Sequence, residues 1–194
     1  MTRTVTTGAL LFTALACSLL ARPTSTTAFP IVVSGQSNAV YLMTSEAMSR
    51  VYRFGVTCGG CESNMPITSW GRNTALWVQL RDAVARPLRA FVWWQGEAEA
   101  REDMPLYYDR LVELMSRVRF ENGNPHLLIV IVQNVPNRND VIRDAERRFV
   151  AGDPDSRLVD VDDLKVPNDN HVHWPDGYVT ASKRVMAAIN AARP

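Results

Sequence analysis

Three cysteines and three histidines give this 194-residue chain little material for a metal centre and none for a disulfide-dense scaffold. Charge of one sign is missing as well: 21 Lys and Arg stand against 20 Asp and Glu, a net charge of +1. With no cationic excess to hold a phosphate backbone or an anionic membrane surface, nucleic acid is not expected as a partner. No internal repeat or low-complexity run follows residue 28. What is present is a 46% hydrophobic composition over a length that suits one buried core rather than two.

Residues 1–28 read apart from the rest. Arg3 supplies a weak positive start, residues 8–21 form an apolar run, and Thr26-Thr27-Ala28 places small residues where a signal peptidase inspects the chain. A secretory signal peptide at 1–28 followed by a single domain at 29–194 is the expectation, with the product secreted or periplasmic. The rival readings are an uncleaved anchor and a lipoprotein acylated at Cys17. The apolar run is short for a membrane span, so no stable span is expected after processing. Loss of Arg3, Arg22 and Cys17 leaves 19 basic against 20 acidic residues and two cysteines, Cys58 and Cys61. In a cytosolic protein Cys58-Gly59-Gly60-Cys61 would suggest half a zinc site or a redox pair, but no second cysteine pair or nearby histidine completes a metal set. In an oxidising compartment a small structural disulfide is the better reading.

Four apolar or β-branched runs, at residues 29–33, 88–94, 127–132 and, more weakly, 157–161, read as strands covered on both faces. Between them apolar residues recur every three to four positions: Leu76, Leu80, Ala83 and Val84; Tyr107, Leu111, Leu114, Met115 and Val118; Val141, Ala145 and Phe149. A last helical stripe, Tyr178 to Ile189, follows Asp176 as its N-cap. Strands alternating with helices predict an α/β fold, a three-layer α/β/α sandwich around a central, mainly parallel sheet. Residues 41–70 are the least regular stretch. In such sheets ligands gather beyond the carboxyl ends of the strands.

Three motifs fall there. Gly35-Gln36-Ser37-Asn38 follows the first strand at once, so the backbone turns on glycine and presents Ser37, a possible nucleophile, at the sheet edge. Taken alone, a Ser-Asn after a strand is more often a helix cap. Gln95-Gly96-Glu97 follows the strand ending Trp93-Trp94, with Gln95 offering an amide donor. Near the C-terminus Asp169-Asn170-His171-Val172-His173-Trp174 carries two of the three histidines ahead of the last helix.

Together these residues resemble the SGNH hydrolases, in the branch of sialate O-acetylesterases and plant-type acetylxylan esterases, over residues 29–194. The Gly-Gln-Ser-Asn block is Gly35 to Asn38 and the Gln-Gly-Glu block is Gln95 to Glu97, both without substitution. The final block, Asp-x-x-His with an aromatic and then Gly-Tyr, fits His173-Trp174 and Gly177-Tyr178, which ranks His173 above His171. A glycine ahead of a helix fits Gly71 less closely. The resemblance implies the flavodoxin-like SGNH sandwich, Ser37 as nucleophile and His173 as general base. It implies an oxyanion hole of the Ser37 and Gly71 amides with the Gln95 side chain, each donor contributing roughly 3 kcal/mol to the barrier. Asn38 and Glu97 are supporting residues, because a carboxylate beside the oxyanion would oppose it.

The chain departs from the family where the acid should be: three places before His173 stands Asn170, with Asp169 one place earlier. Asp169 is favoured as the acid, through a one-residue slip of the loop, with Asn170 as the alternative. Glu99, Arg72 and Asn73 also differ from the usual pattern. The expected activity is removal of O-acetyl groups from carbohydrate, with no cofactor and no metal; the alternative is a weak or inactive sugar-binding protein on the same fold. Trp70, Trp94 and Trp174 adjoin the blocks, and one of them is expected to face a sugar ring, although core packing accounts for most tryptophans.

Overall fold

Successive side chains of a strand point to opposite faces of its sheet, so a continuous apolar run can feed two cores at once. The computed structural model, which describes residues 29–44, 48, 52, 55–99, 101–134, 140–167 and 169–192, shows this in every inner strand. Residues 1–28, with the expected signal peptide, lie outside the described residues. Strands β1 (Ile31–Gly35), β2 (Val56–Cys61), β3 (Ala90–Trp94), β4 (Ile129–Val132) and β5 (Ser156–Val159) form one sheet in the order β2-β1-β3-β4-β5, every pairing parallel.

Ile31, Val33, Val92, Trp94, Val130 and Val132 face one core, closed by α1 (Ser37–Thr44) and α5 (Asp176–Ala191). Val32, Phe91, Trp93, Ile129 and Ile131 face the other, closed by α2 (Ala75–Val84), α3 (Tyr107–Asn122) and α4 (Asp140–Gly152). The result is the three-layer α/β/α sandwich. Asp176 is the first residue of α5 rather than its cap; Pro175 holds the cap position without a side-chain bond.

The strand absent from the sequence reading is β2, inside the stretch that looked least regular. Its Val-Thr-Cys-Gly-Gly-Cys has no apolar run because it is an edge strand: only Gly59 and Gly60 are buried. Glycine is demanded at Gly59, where an added Cβ would lie 2.9 Å from Val32 and 3.0 Å from Ala83. Cys58 and Cys61 are joined by a disulfide at the end of this strand, and Glu62 N–H donates to Gly35 O at 3.1 Å just beyond it.

From β1 the chain moves to β2 at the edge, then crosses back over β1 to β3. The loops after β1 and β3 therefore diverge from neighbouring strands and leave a crevice between them.

Candidate active site

Gly35 ends β1 with a φ of 134°, and a Cβ there would lie 2.0 Å from Trp94 O of β3. Glycine alone lets the two strand ends approach so closely. Gln36 N–H then donates to Trp94 O at 3.1 Å, and α1 begins on the next residue. Ser37 thus opens a helix, where its amide is among those that helical geometry leaves without an intrahelical acceptor.

Ser37 Oγ lies 3.0 Å from His171 Nε2, and His171 Nδ1 lies 2.6 Å from Asp169 Oδ1. Asp169 and His171 sit in one tight turn: the same Oδ1 also accepts the Asn170 amide at 2.6 Å and the His171 amide at 3.2 Å. The His171 hydrogen bond is the first cause holding the Asp169 carboxyl below its ordinary range. With Asp169 ionised, Nδ1 carries the ring proton and Nε2 is left to accept from serine.

This corrects the reading of His173. An antiparallel bridge between Lys165 and Val172 fixes the register, with His171 O accepting from Val166 and His173 N–H donating to Leu164. His173 stands two residues, about 7 Å of extended chain, beyond His171, is exposed, and leads into α5 through a bond from Gly177 N–H to its carbonyl. Asn170, the alternative acid, contributes its carbonyl: Asn38 Nδ2 donates to it at 2.8 Å. Asn38 is a clamp, also donating to Glu97 Oε1 at 2.6 Å and accepting from the Tyr178 hydroxyl at 2.8 Å. It ties α1 and the loop after β3 to the histidine loop and to α5. Burial pushes the Glu97 carboxyl up to about 7 against the pull of its Asn38 hydrogen bond.

Two of the three expected oxyanion donors are engaged elsewhere. Gly71 ends a short 3-10 helix, Ile67–Trp70, and its amide closes that turn on Thr68 O at 3.0 Å. Gln95 is fully buried, and its Nε2 donates to Met65 O at 3.1 Å and to Glu99 Oε1 at 2.7 Å. The reason lies in Glu99, whose buried carboxylate must find donors: it takes Gln95 and the Ile67 amide at 2.6 Å. Burial raises its pKa in spite of them. Beneath the loop, Asn134 and Tyr107 both donate to Gln95 O at 2.8 Å, and Asn134 is anchored in turn by Glu146. These residues carried no motif and were not legible as site residues.

A cleft of about 370 Å³ opens beside the histidine loop, lined by Tyr41, Asp169, His171, Trp174 and Tyr178 among others. Trp70 and Trp94 are fully buried, whereas Trp174 is 58% exposed.

Residues 56–190 match the model of a family described as carbohydrate esterase, sialic acid-specific acetylesterase. The chain belongs to that family. It is accordingly a carboxylic ester hydrolase of the carbohydrate esterases, and the matched span holds the histidine loop while Ser37 precedes it. No curated protein matches this carbohydrate esterase in sequence. Among solved structures it is similar to a protein of Arabidopsis thaliana, at 17% identity and a TM-score of 0.63, covering 80% of this chain and 68% of that one. A carbohydrate acetylesterase of Xanthomonas citri is similar at 14% identity and a TM-score of 0.63, covering 84% of this chain and 57% of that one. A Slackia heliotrinireducens protein named for the SGNH hydrolases gives 14% identity and a TM-score of 0.67, covering 84% and 99%. These likenesses establish the SGNH fold. The chain spans little more than half the length of the Xanthomonas protein.

Proposed function

We propose that this carbohydrate esterase removes O-acetyl groups from carbohydrate through an acyl-enzyme on Ser37, with His171 as general base and Asp169 as the group that holds it. The observation that carries the reading is the unbroken Ser37–His171–Asp169 chain of hydrogen bonds at 3.0 and 2.6 Å. In this mechanism Ser37 Oγ attacks the acetyl carbonyl as its proton passes to His171 Nε2. The Ser37 amide, at the positive end of α1, faces the developing oxyanion. Collapse expels the sugar hydroxyl, which takes the proton back from His171. Water, deprotonated by the same nitrogen, then releases acetate and restores Ser37. Asp169 keeps the imidazole in the tautomer this requires and stabilises the imidazolium.

Acetate release from acetylated xylan, acetylated sialosides and acetylated peptidoglycan, measured beside p-nitrophenyl acetate, tests the reading. Turnover lost in a folded Ser37→Ala variant supports it; sugar binding with no turnover of any ester would replace it with the sugar-binding alternative. Export belongs to the same proposal: the mature protein recovered from a secreting host begins at Phe29, and an intact Met1 start there would overturn that part.

A further inference from the structure

The turn that ends β2 brings two sulfurs together on a backbone held by more than the bond between them. Gly59 and Gly60 are buried: a Cβ would lie 2.9 Å from Val32 on the first and 2.6 Å from Leu76 O on the second, so the turn is pressed against β1 and α2. Gly60 O accepts from Trp70 Nε1 at 2.9 Å and from Ser34 Oγ at 3.4 Å, and Glu62 N–H donates to Gly35 O at 3.1 Å. Cys58 and Cys61 stand three positions apart, and a bond across so short a loop restrains the unfolded chain little.

The two sulfurs differ in their surroundings. Cys58 is exposed, and its Sγ accepts the Cys61 amide at 3.0 Å. Cys61 is partly buried, with its Sγ 3.5 Å from Val33 O. An external thiolate therefore meets Cys58 first, at a sulfur from which the amide draws charge. Once the bond is open, that amide favours the Cys58 thiolate, whereas Cys61 faces a carbonyl to which only a protonated thiol donates.

We infer that Cys58–Cys61 is a thiol–disulfide exchange site for small dithiols, with Cys58 as the sulfur attacked and, after reduction, as the thiolate of the pair. A thiolate of the dithiol attacks Cys58 Sγ, the bond to Cys61 breaks, and Cys61 leaves as a thiolate that takes up a proton. The second thiol of the dithiol, deprotonated, attacks its partner sulfur in the mixed disulfide, and Cys58 leaves as a thiolate. Two electrons pass to the protein pair, the dithiol becomes a cyclic disulfide, and of its two protons one ends on Cys61 and one in solvent. Reoxidation runs the reverse course, since the packed glycines keep the two Cα atoms 5.9 Å apart, within the span of a disulfide.

The test uses the full chain in its native state, with dithiothreitol as the dithiol and iodoacetamide as the trap, each cysteine read by peptide mass so that Cys17 is scored apart. Cys58 and Cys61 are both expected to be labelled while circular dichroism shows the fold intact. With glutathione as a monothiol, the mixed disulfide is expected on Cys58. At pH 7, Cys58 in Cys61→Ser, which keeps the donating amide, is expected to react with iodoacetamide at least about tenfold faster than Cys61 in Cys58→Ser. Labelling that appears only after denaturation, glutathione on Cys61, or a faster-reacting Cys61 overturns the inference and leaves a purely structural disulfide. No step involves Ser37, so the same labelling is expected in Ser37→Ala, and failure of the esterase reading leaves this result unmoved.

Discussion

At the scale of single residues, the two histidines of the C-terminal loop separate the alternatives most sharply. His171→Ala is expected to lower kcat on the order of ten-thousand-fold, while His173→Ala, which removes an exposed ring from a position anchored through its backbone, stays within a few-fold. Comparable losses in the two variants, measured on p-nitrophenyl acetate, would return the base to His173. Asp169→Asn is expected to cost nearly as much as the loss of His171, because the amide still fills the space but no longer stabilises the imidazolium. Gln95 behaves differently from an oxyanion donor whose hydrogens face substrate. Gln95→Ala strips Glu99 of one of the two donors it has among the described residues in a buried setting, which costs about 1–3 kcal/mol of stability. Thermal unfolding reads this directly: a kcat loss with an unchanged Tm would show that Gln95 serves the reaction instead.

Among the elements, edge strand β2 reaches the turn that carries Ser37. It pairs with β1 over Ile31 to Val33 and again at Gly35, two residues before Ser37, and its disulfide lies at that end. Gly60 O accepts from Trp70 Nε1 at 2.9 Å, linking the same end to the second core. Replacing Cys58 and Cys61 with serine is therefore expected to lower Tm and to speed amide exchange in β2 and the end of β1 before any other part of the sheet. Exchange that rises uniformly, or first in β4 and β5, would contradict this. The same strand shows where sequence patterning stops being informative. Inner strands must be apolar on both sides and announce themselves, but β2 is half covered, and its two glycines record close packing rather than hydrophobicity.

For the whole molecule, two buried carboxyls, Glu97 and Glu146, contribute to the pH response of stability. Burial raises Glu97 to about 7 and Glu146 to about 8 from an ordinary 4.5. Each binds its proton more tightly in the folded chain than in the unfolded one. Their contribution is thus fully present below about pH 4.5 and is lost as pH rises through 7 to 8, at up to about 1.4 kcal/mol per pH unit for each group. Tm is expected to fall over that window, and Glu97→Gln, whose amide oxygen can still accept from Asn38, flattens its share of the slope. An unchanged slope in that variant would mean that Glu97 is ionised in the folded protein at neutral pH.

What the sequence determined by itself was whatever is local or periodic. The inner strands, the helical stripes and the glycine turn that presents Ser37 follow from side-chain alternation, helical spacing and backbone freedom, each contained within a few neighbouring residues. The preference for Asp169 over Asn170 is an expectation from the chemistry of serine activation; in the structure its carboxylate lies 2.6 Å from a histidine ring nitrogen. Which histidine that is, and what the Gly71 amide and the Gln95 side chain bond, was decided by tertiary contacts. The Lys165–Val172 bridge and the Asn38 clamp set the register of the loop over Ser37, and Glu99 draws Gln95 to itself across four residues of turn. Such choices depend on which buried polar groups find partners in three dimensions. A one-dimensional motif spacing of two residues or three does not contain that information.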